Sequence, residues 1–345
     1  MQQQDDPYLP AAITDIRRRT HFFRRPDAEL DPSRTSEQEL WEYGIPPRPD
    51  QAQFPVLADL WDKMFPHPLN LTDPYFGDPM ARLPVTARAF MTFGGPREAS
   101  HNWSGAYITP RDGKQFSEVY GHWCMPTVVQ PGGVPGPTEY RSSVWIGLDG
   151  ARQYFDSTLP QIGSAQDLNL ATGTSYYLWW QWWMRDNPLT YYFVPIPVPV
   201  TAHHEILAQM IVLNATQVLF LIRDMTTNMG FPSFYIDSPS QNGRQARVTG
   251  ATAEWIVERP ADPATGIYTL PNYESVTFTD SYAIQTPAPL ATGLSDSRDL
   301  SGARLVSMYE IAGTPQRRIP LSKPDNPGRS PLQMLDRDLV TYVGP

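Results

Sequence analysis

The chain has 345 residues, 41% hydrophobic and 18% charged, with a net charge of −9 and one cysteine. That is enough apolar residue for a large core, and too little charge for a charge-rich disordered protein. The acidic balance argues against nucleic acid as a partner, the lone Cys124 excludes an intrachain disulfide framework or a cysteine-based zinc cluster, and no apolar run is long enough for a membrane-spanning helix.

Residues 1–98 read as an N-terminal extension, and 99–345 as the main domain. Met1 to Pro10 is polar and lacks the apolar segment of a secretory leader, which leaves the compartment open. The basic run Arg17-Arg18-Arg19 with Arg24-Arg25 reads as a solvated surface. Ser36 and Glu39 form a capping-box pattern that predicts a short helix into Leu40-Trp41, stopping near Gly44 ahead of Pro46-Pro47. A second helix is predicted over Val56–Phe65, with Leu57, Leu60, Trp61 and Met64 on one face. From Pro66 to Pro96 the proline density predicts an extended connector.

After Ser100 short apolar or aromatic runs alternate with turn residues. They predict strands at Trp103–Ile108, Val119–Cys124, Ser143–Leu148, Tyr176–Trp183, Ile206–Leu213, Gln217–Ile222, Ala253–Val257, Ser275–Thr279 and Leu305–Glu310. This spacing indicates an all-β sandwich or barrel. Alternating prolines between Tyr191 and Val200 predict an edge or an extended connection, and Leu339–Val343 a final strand.

Familiar catalytic signatures are missing: no G-x-S-x-G elbow, no Walker loop and no G-x-G-x-x-G after a strand. His203-His204-Glu205 reads as a turn rather than a metal site, and Cys124, in an apolar run, as a buried inert thiol. Carboxylate, amide and aromatic chemistry remain. On a strand, Glu254, Ile256 and Glu258 share one face, with the two carboxylates about 13 Å apart. Glu258 would therefore need a partner from elsewhere in the chain. By the same rule Trp179, Gln181 and Trp183 share a face and Trp180 and Trp182 the other. A tryptophan-lined core and a ligand groove both fit that pattern.

Six motifs occur in order: Ser100-His101-Asn102-Trp103-Ser104-Gly105-Ala106, Trp123-Cys124-Met125-Pro126, Ser143 to Gly150 (SVWIGLDG), Leu159-Pro160-Gln161-Ile162-Gly163, Tyr177 to Trp183 (YLWWQWW), and Ala253 to Glu258 (AEWIVE). Together they resemble the glutamic peptidases, the eqolisins, over roughly Ser100 to Asp280. The resemblance implies a two-sheet antiparallel β-sandwich, similar to legume lectins, with a groove on its concave face. It also implies hydrolysis of polypeptides at acid pH by a Gln–Glu dyad, falling on Gln161 and Glu258. Trp103, Trp145 and Asp149 fall on groove positions; Asp149 fits equally a turn aspartate before Gly150. Trp179, Gln181 and Trp183 are candidate substrate-binding residues, as is Glu254, which also competes for the acid role. No cofactor or metal is expected.

The sequence departs from the better-known fungal pattern at Gln181, where those members carry a Glu, and in having no disulfide. The extension 1–98 reads either as a prosegment covering the groove, the reading slightly preferred, or as a permanent wrap. Two other functions stand beside the peptidase. A lectin-like binding module would use the aromatic surface but has no need of both Gln161 and Glu258. A glycoside hydrolase would need two carboxylates about 5–10 Å apart, closer than Glu254 and Glu258 along one strand.

Overall fold

A computed structural model describes residues 6–27, 29–77, 79, 97–132, 136–151, 158–262, 266–287, 296–312, 314–325 and 331–336. Three helices, α1 (Leu9–Arg19), α2 (Glu37–Glu42) and α3 (Pro55–Met64), precede the main strands. These are β1 (Trp103–Ile108), β2 (Gln115–Cys124), β3 (Glu139–Leu148), β4 (Thr158–Asn169), β5 (Gly173–Met184), β6 (Val194–Ile196) and β7 (Glu205–Asn214). There follow β8 (Gln217–Asp224), β9 (Phe234–Asp237), β10 (Ala253–Glu258), β11 (Ser275–Thr286), β12 (Arg304–Ala312), β13 (Arg317–Pro324) and β14 (Leu332–Asp336).

The first sheet has the order β6-β5-β4-β3-β10-β1-β12-β13, with each of these pairs antiparallel, and the short strand Arg97–Ser100 runs parallel to β12. The second runs β14-β11-β2-β7-β8-β9 and ends on the short strand Thr20–Phe22. The β13–β14 pairing joins the two along one edge. Between them lies the main core: Val144, Ile146, Ile162, Trp180, Trp182 and Trp255 from the first sheet meet Val119, Trp123, Met210, Phe220 and Phe278 from the second. Buried indoles need acceptors, and two find them across the layers: Trp123 Nε1 donates to Ser164 Oγ and Trp255 Nε1 to the Tyr120 carbonyl. This is the sandwich that the run-and-turn pattern predicted.

The two expected helices form, α2 at its Ser36 cap and α3 over its apolar face. Ser36 Oγ accepts from the Glu39 backbone N–H, and the chain leaves α2 through Gly44 at φ 66°. Helix α3 begins at Pro55 and buries Leu57, Leu60, Trp61 and Met64. Helix α1 was not anticipated. It corrects the reading of the arginine run: Arg17 and Arg18 are exposed, but Arg19 is buried, bonded to Asp15 and to the Asp237 carbonyl. Helices α2 and α3 pack on the outer face of the second sheet, where Leu40, Tyr43, Leu57 and Trp61 meet Tyr120, Leu207, Ile211 and Leu219.

Strand β6 pairs only with β5 among the described strands, as the prolines predicted. His203 sits in a turn at φ 67°, and His204 bonds to Asp224. Cys124 is half-buried rather than fully buried, and its thiol pKa is raised, chiefly by desolvation. Residues 80–96 of the expected connector and the expected strand at Leu339–Val343 lie outside the described residues.

Candidate functional site

Strand β10 sits at the middle of the first sheet, between β3 and β1, and all six of its residues are buried. Trp255 and Val257 point into the sandwich core, while Ile256 joins a separate cluster on the outer face of the sheet with Trp103, Trp145, Leu159, Trp179 and Trp183. Alternation puts Glu254 and Glu258 on that outer face with Ile256. The ladder carries the face across the neighbouring strands. Ile256 lies opposite Trp145, Trp145 opposite Gly163, and Gly163 opposite Trp179. Gln161 and Gln181, one pleat further along, face the same way. Gln161, Glu254, Glu258 and the tryptophans 103, 145, 179 and 183 therefore share one buried wall. Trp180 and Trp182 belong to the core instead.

Glycine makes this wall possible at Gly163. It lies directly opposite Trp145, and a Cβ there would collide with the Trp145 Cα and Cβ. The indole of Trp145 stands edge-on to Trp103, with ring centroids 5.0 Å apart.

Glu258 is fully buried. Its Oε1 accepts from Asn102 Nδ2 and its Oε2 from Trp145 Nε1, both at 2.9 Å. Desolvation pushes its pKa up to about 7; the N–H groups of Trp103, Trp145 and Asn102 pull in the other direction. Trp103 Nε1 contributes by proximity alone, since it makes no well-formed hydrogen bond within the chain. All three donors are neutral, so the carboxyl is held in place without a fixed counter-charge.

Gln161 is also fully buried. Its Nε2 donates to Gln181 Oε1 at 2.7 Å, and Gln181 Nε2 donates to the Thr190 carbonyl at 2.9 Å. Gln161 Oε1 has no partner among the described residues. The indole N–H groups of Trp103, Trp179 and Trp183 and one oxygen of Glu254 are likewise unpartnered and buried. Buried polar atoms are normally satisfied; five of the exceptions among the described residues lie on this wall, while others, such as Trp180 Nε1 and Ser281 Oγ, lie elsewhere.

Register separates the two acids. Glu254, Gly147, Gln161 and Gln181 form one row across β10, β3, β4 and β5, whereas Glu258 is in the row of Ser143 and Ala165. Glu254 is thus level with Gln161. The space over Gly147 between them is occupied by a Leu159 methyl group and the Trp145 ring. Glu254 Oε1 accepts from the Ala151 backbone N–H at 3.0 Å, and burial, with a smaller push from Asp149, raises its pKa to about 8. Asp149, at φ 69°, is spent on the turn into β10: it accepts from Thr249 N, Thr249 Oγ1 and Ala251 N. Its carboxylate braces the strand that carries both glutamates, and no hydrogen bond joins it to Gln161.

Sequence reasoning missed Asn102 and Thr190 as partners and missed strand β4 itself. The signal for Asn102 was its place beside Trp103 in a candidate motif. Thr190 left no signal, because its contribution is a backbone carbonyl.

Compared with solved structures, the chain is similar to scytalido-glutamic peptidase crystallised with a transition state analog inhibitor. The TM-score is 0.50 at 16% identity, covering 68% of this chain and 98% of that one. It is also similar to aspergilloglutamic peptidase from Aspergillus niger, with a TM-score of 0.41 and 18% identity over 57% of this chain and 99% of that one. The first likeness identifies the fold as the β-sandwich of a glutamic peptidase. The family model of the Peptidase A4 family matches residues 101–316, well over half the chain, and the chain belongs to that family. It is accordingly a hydrolase, a glutamic-type endopeptidase. No curated protein sequence matches it.

Proposed function

We propose that the chain cleaves polypeptides in the acid to near-neutral range with Gln161 and Glu258 as its working pair. The observation that carries this is the setting of Glu258: a buried carboxyl held by the neutral donors Asn102 and Trp145, on the same face as the unpartnered oxygen of Gln161. In this reading Glu258 takes a proton from the attacking water, the water oxygen bonds to the scissile carbonyl carbon, and the carbonyl oxygen becomes an oxyanion. Gln161 accepts from the water through Oε1 and donates its remaining N–H to the oxyanion. Glu258 then returns its proton to the leaving amine as the C–N bond breaks. A carboxyl raised to about 7 is a stronger base than an ordinary one, and its acid form persists close to neutrality. Glu254, tied to the Ala151 backbone, serves as an anchor for the turn after β3. The tryptophans 103, 145, 179 and 183 frame apolar substrate groups.

We further infer that the segment carrying α2 and α3 is a permanent layer. It buries a cluster of its own on the second sheet, whereas a groove cover would lie on the first.

The test is a protein-digestion assay across the acid range, with pepstatin present, on wild type and Glu258→Gln. Pepstatin-insensitive cleavage that disappears in a folded Glu258→Gln variant is the expected result. Cleavage retained in that variant and lost in Glu254→Gln would move the acid role to Glu254.

A further inference from the structure

Gln161 is the end of a chain of amides whose orientation is fixed by a backbone carbonyl. The Thr190 carbonyl can only accept, so Gln181 must turn its NH₂ group towards it. That leaves Gln181 Oε1 facing Gln161, which must in turn present its own NH₂. Gln161 Oε1 is thereby forced to the opposite side, where it is buried and without a partner among the described residues. The two glutamines are directly opposed in the β4–β5 ladder, so the contact needs no long reach.

The far end of the chain is equally constrained. Thr190 closes a short 3₁₀ turn, Pro188–Thr190. Its N–H donates to the Asn187 carbonyl, and its hydroxyl accepts from Met184 N and donates to Asn187 O. The carbonyl that orients both amides is therefore itself held from two sides.

Among the described residues the relay is flanked by Leu159 from β4, Trp179 and Trp183 from β5, and Phe193 ahead of β6, all of one apolar cluster; the titratable group beside Thr190 is Tyr191, with Asp186 and Arg185 near it. The acid in the same row is Glu254, on the far side of Gly147. An amide at position 181 both accepts and donates without titrating. An ionised carboxylate there would face the Thr190 carbonyl oxygen with no proton to offer, and repulsion between the two oxygens would push it out of the position from which it accepts from Gln161.

We propose that Gln181 is a positioning residue: with the Thr190 carbonyl it locks the Gln161 amide in one of its two flip states, oxygen towards the reacting centre, independently of pH. This rests on the reading in which Gln161 acts on the peptide bond. Without the lock the amide of Gln161 samples both flips, and only one of them offers an acceptor to the water.

The experiment measures kcat and KM on a peptide substrate from about pH 3 to pH 8 for wild type, Gln181→Met and Gln181→Glu, with thermal midpoints. Gln181→Met, similar in length but unable to complete the relay, should lose about 10- to 100-fold in kcat at every pH, with KM changed by less than about threefold. Gln181→Glu should match wild type where its carboxyl is protonated, because an acid can accept from Gln161 and donate to Thr190. It should fall to the Gln181→Met level as it ionises, adding a descending limb to kcat that wild type lacks. A merely structural amide would shift the thermal midpoint without adding that limb. Wild-type kcat in Gln181→Met, a loss confined to KM, or a Gln181→Glu profile parallel to wild type overturns the proposal. If Gln181→Met does not fold, the Gln181→Glu profile decides alone. An active Glu258→Gln together with an active Gln161→Met would refute the underlying reading; inactivity of both beside a fully active Gln181→Met refutes the relay only.

Discussion

The outer faces of the two sheets are both buried and aromatic, yet they are finished differently. On the second sheet, α2 and α3 supply the missing layer, and most polar groups beneath them are partnered, Arg223 Nε and His122 Nε2 being the hydrogen-bond exceptions among the described residues. Glu118 accepts from Tyr120 and Gln209, and Trp61 donates its indole N–H to the Pro46 carbonyl. On the first sheet, three indole N–H groups, one amide oxygen and one carboxyl oxygen are left without partners. A face built for stability satisfies its polar atoms, because each orphan costs about 1–3 kcal/mol. A face that tolerates several of them keeps donors and acceptors available for something else. The contrast is one of degree: the core Trp180 N–H is also without a partner, but on the first outer face such groups gather beside Gln161 and Glu258.

The largest expected effect falls on the first face. Glu258→Gln should lower kcat by about 10²–10⁴-fold while circular dichroism and the thermal midpoint stay close to wild type. On the second face the same kind of measurement should reverse. Trp61→Ala removes a buried indole from α3 and should cost about 3–5 kcal/mol of stability, read by urea unfolding, with activity at low temperature unchanged. If Trp61→Ala were instead to abolish activity in a folded protein, the two faces would not be independent.

The next effect concerns retention of the helical layer. Incubation at about pH 4 followed by intact-mass measurement should return the chain with α2 and α3 still attached. Loss of the first 98 residues with full activity would show that layer to be removable after all.

A smaller effect links acidity to folding. Glu254 and Glu258 are raised in the fold from 4.5 to about 8 and about 7. Between those limits the native chain binds more protons than the unfolded one, so stability falls as pH rises. The stabilisation is complete below the unfolded-state value and is lost as pH passes through the folded values. Thermal midpoints should be higher near pH 4 than near pH 8, and Glu254→Gln should flatten that slope. A midpoint that rises towards pH 8 would contradict the burial of these acids as neutral groups.

Much of the sandwich was legible because its strands advertise themselves. β10 reads A-E-W-I-V-E, and alternation alone separates Trp255 from the two acids. β5 separates Trp180 and Trp182 from Trp179, Gln181 and Trp183 in the same way. Strand β4 was not legible: Pro160 and Gly163 interrupt the pattern that marks a strand, although both have reasons to be there. Gly163 makes room for Trp145, and Pro160 lies beside the residue that carries the amide. Helix α1 was hidden for a similar reason. Its sequence is polar and it buries only Ala12, Ile16 and Arg19, the last through ion pairing rather than hydrophobic pattern.

The sequence by itself determined which face each strand residue occupies, since a period of two is a property of the extended backbone. The start of α2 was legible too, since its Ser36 cap is a local hydrogen bond, whereas α3 begins at Pro55 without a side-chain cap and was legible from its apolar face. Only the tertiary structure decided which rows align, that Glu254 rather than Glu258 is level with Gln161, and that Thr190 governs two glutamines. Register between strands distant in the chain is set by packing of the whole sheet, and a backbone carbonyl has the same chemistry whatever residue bears it.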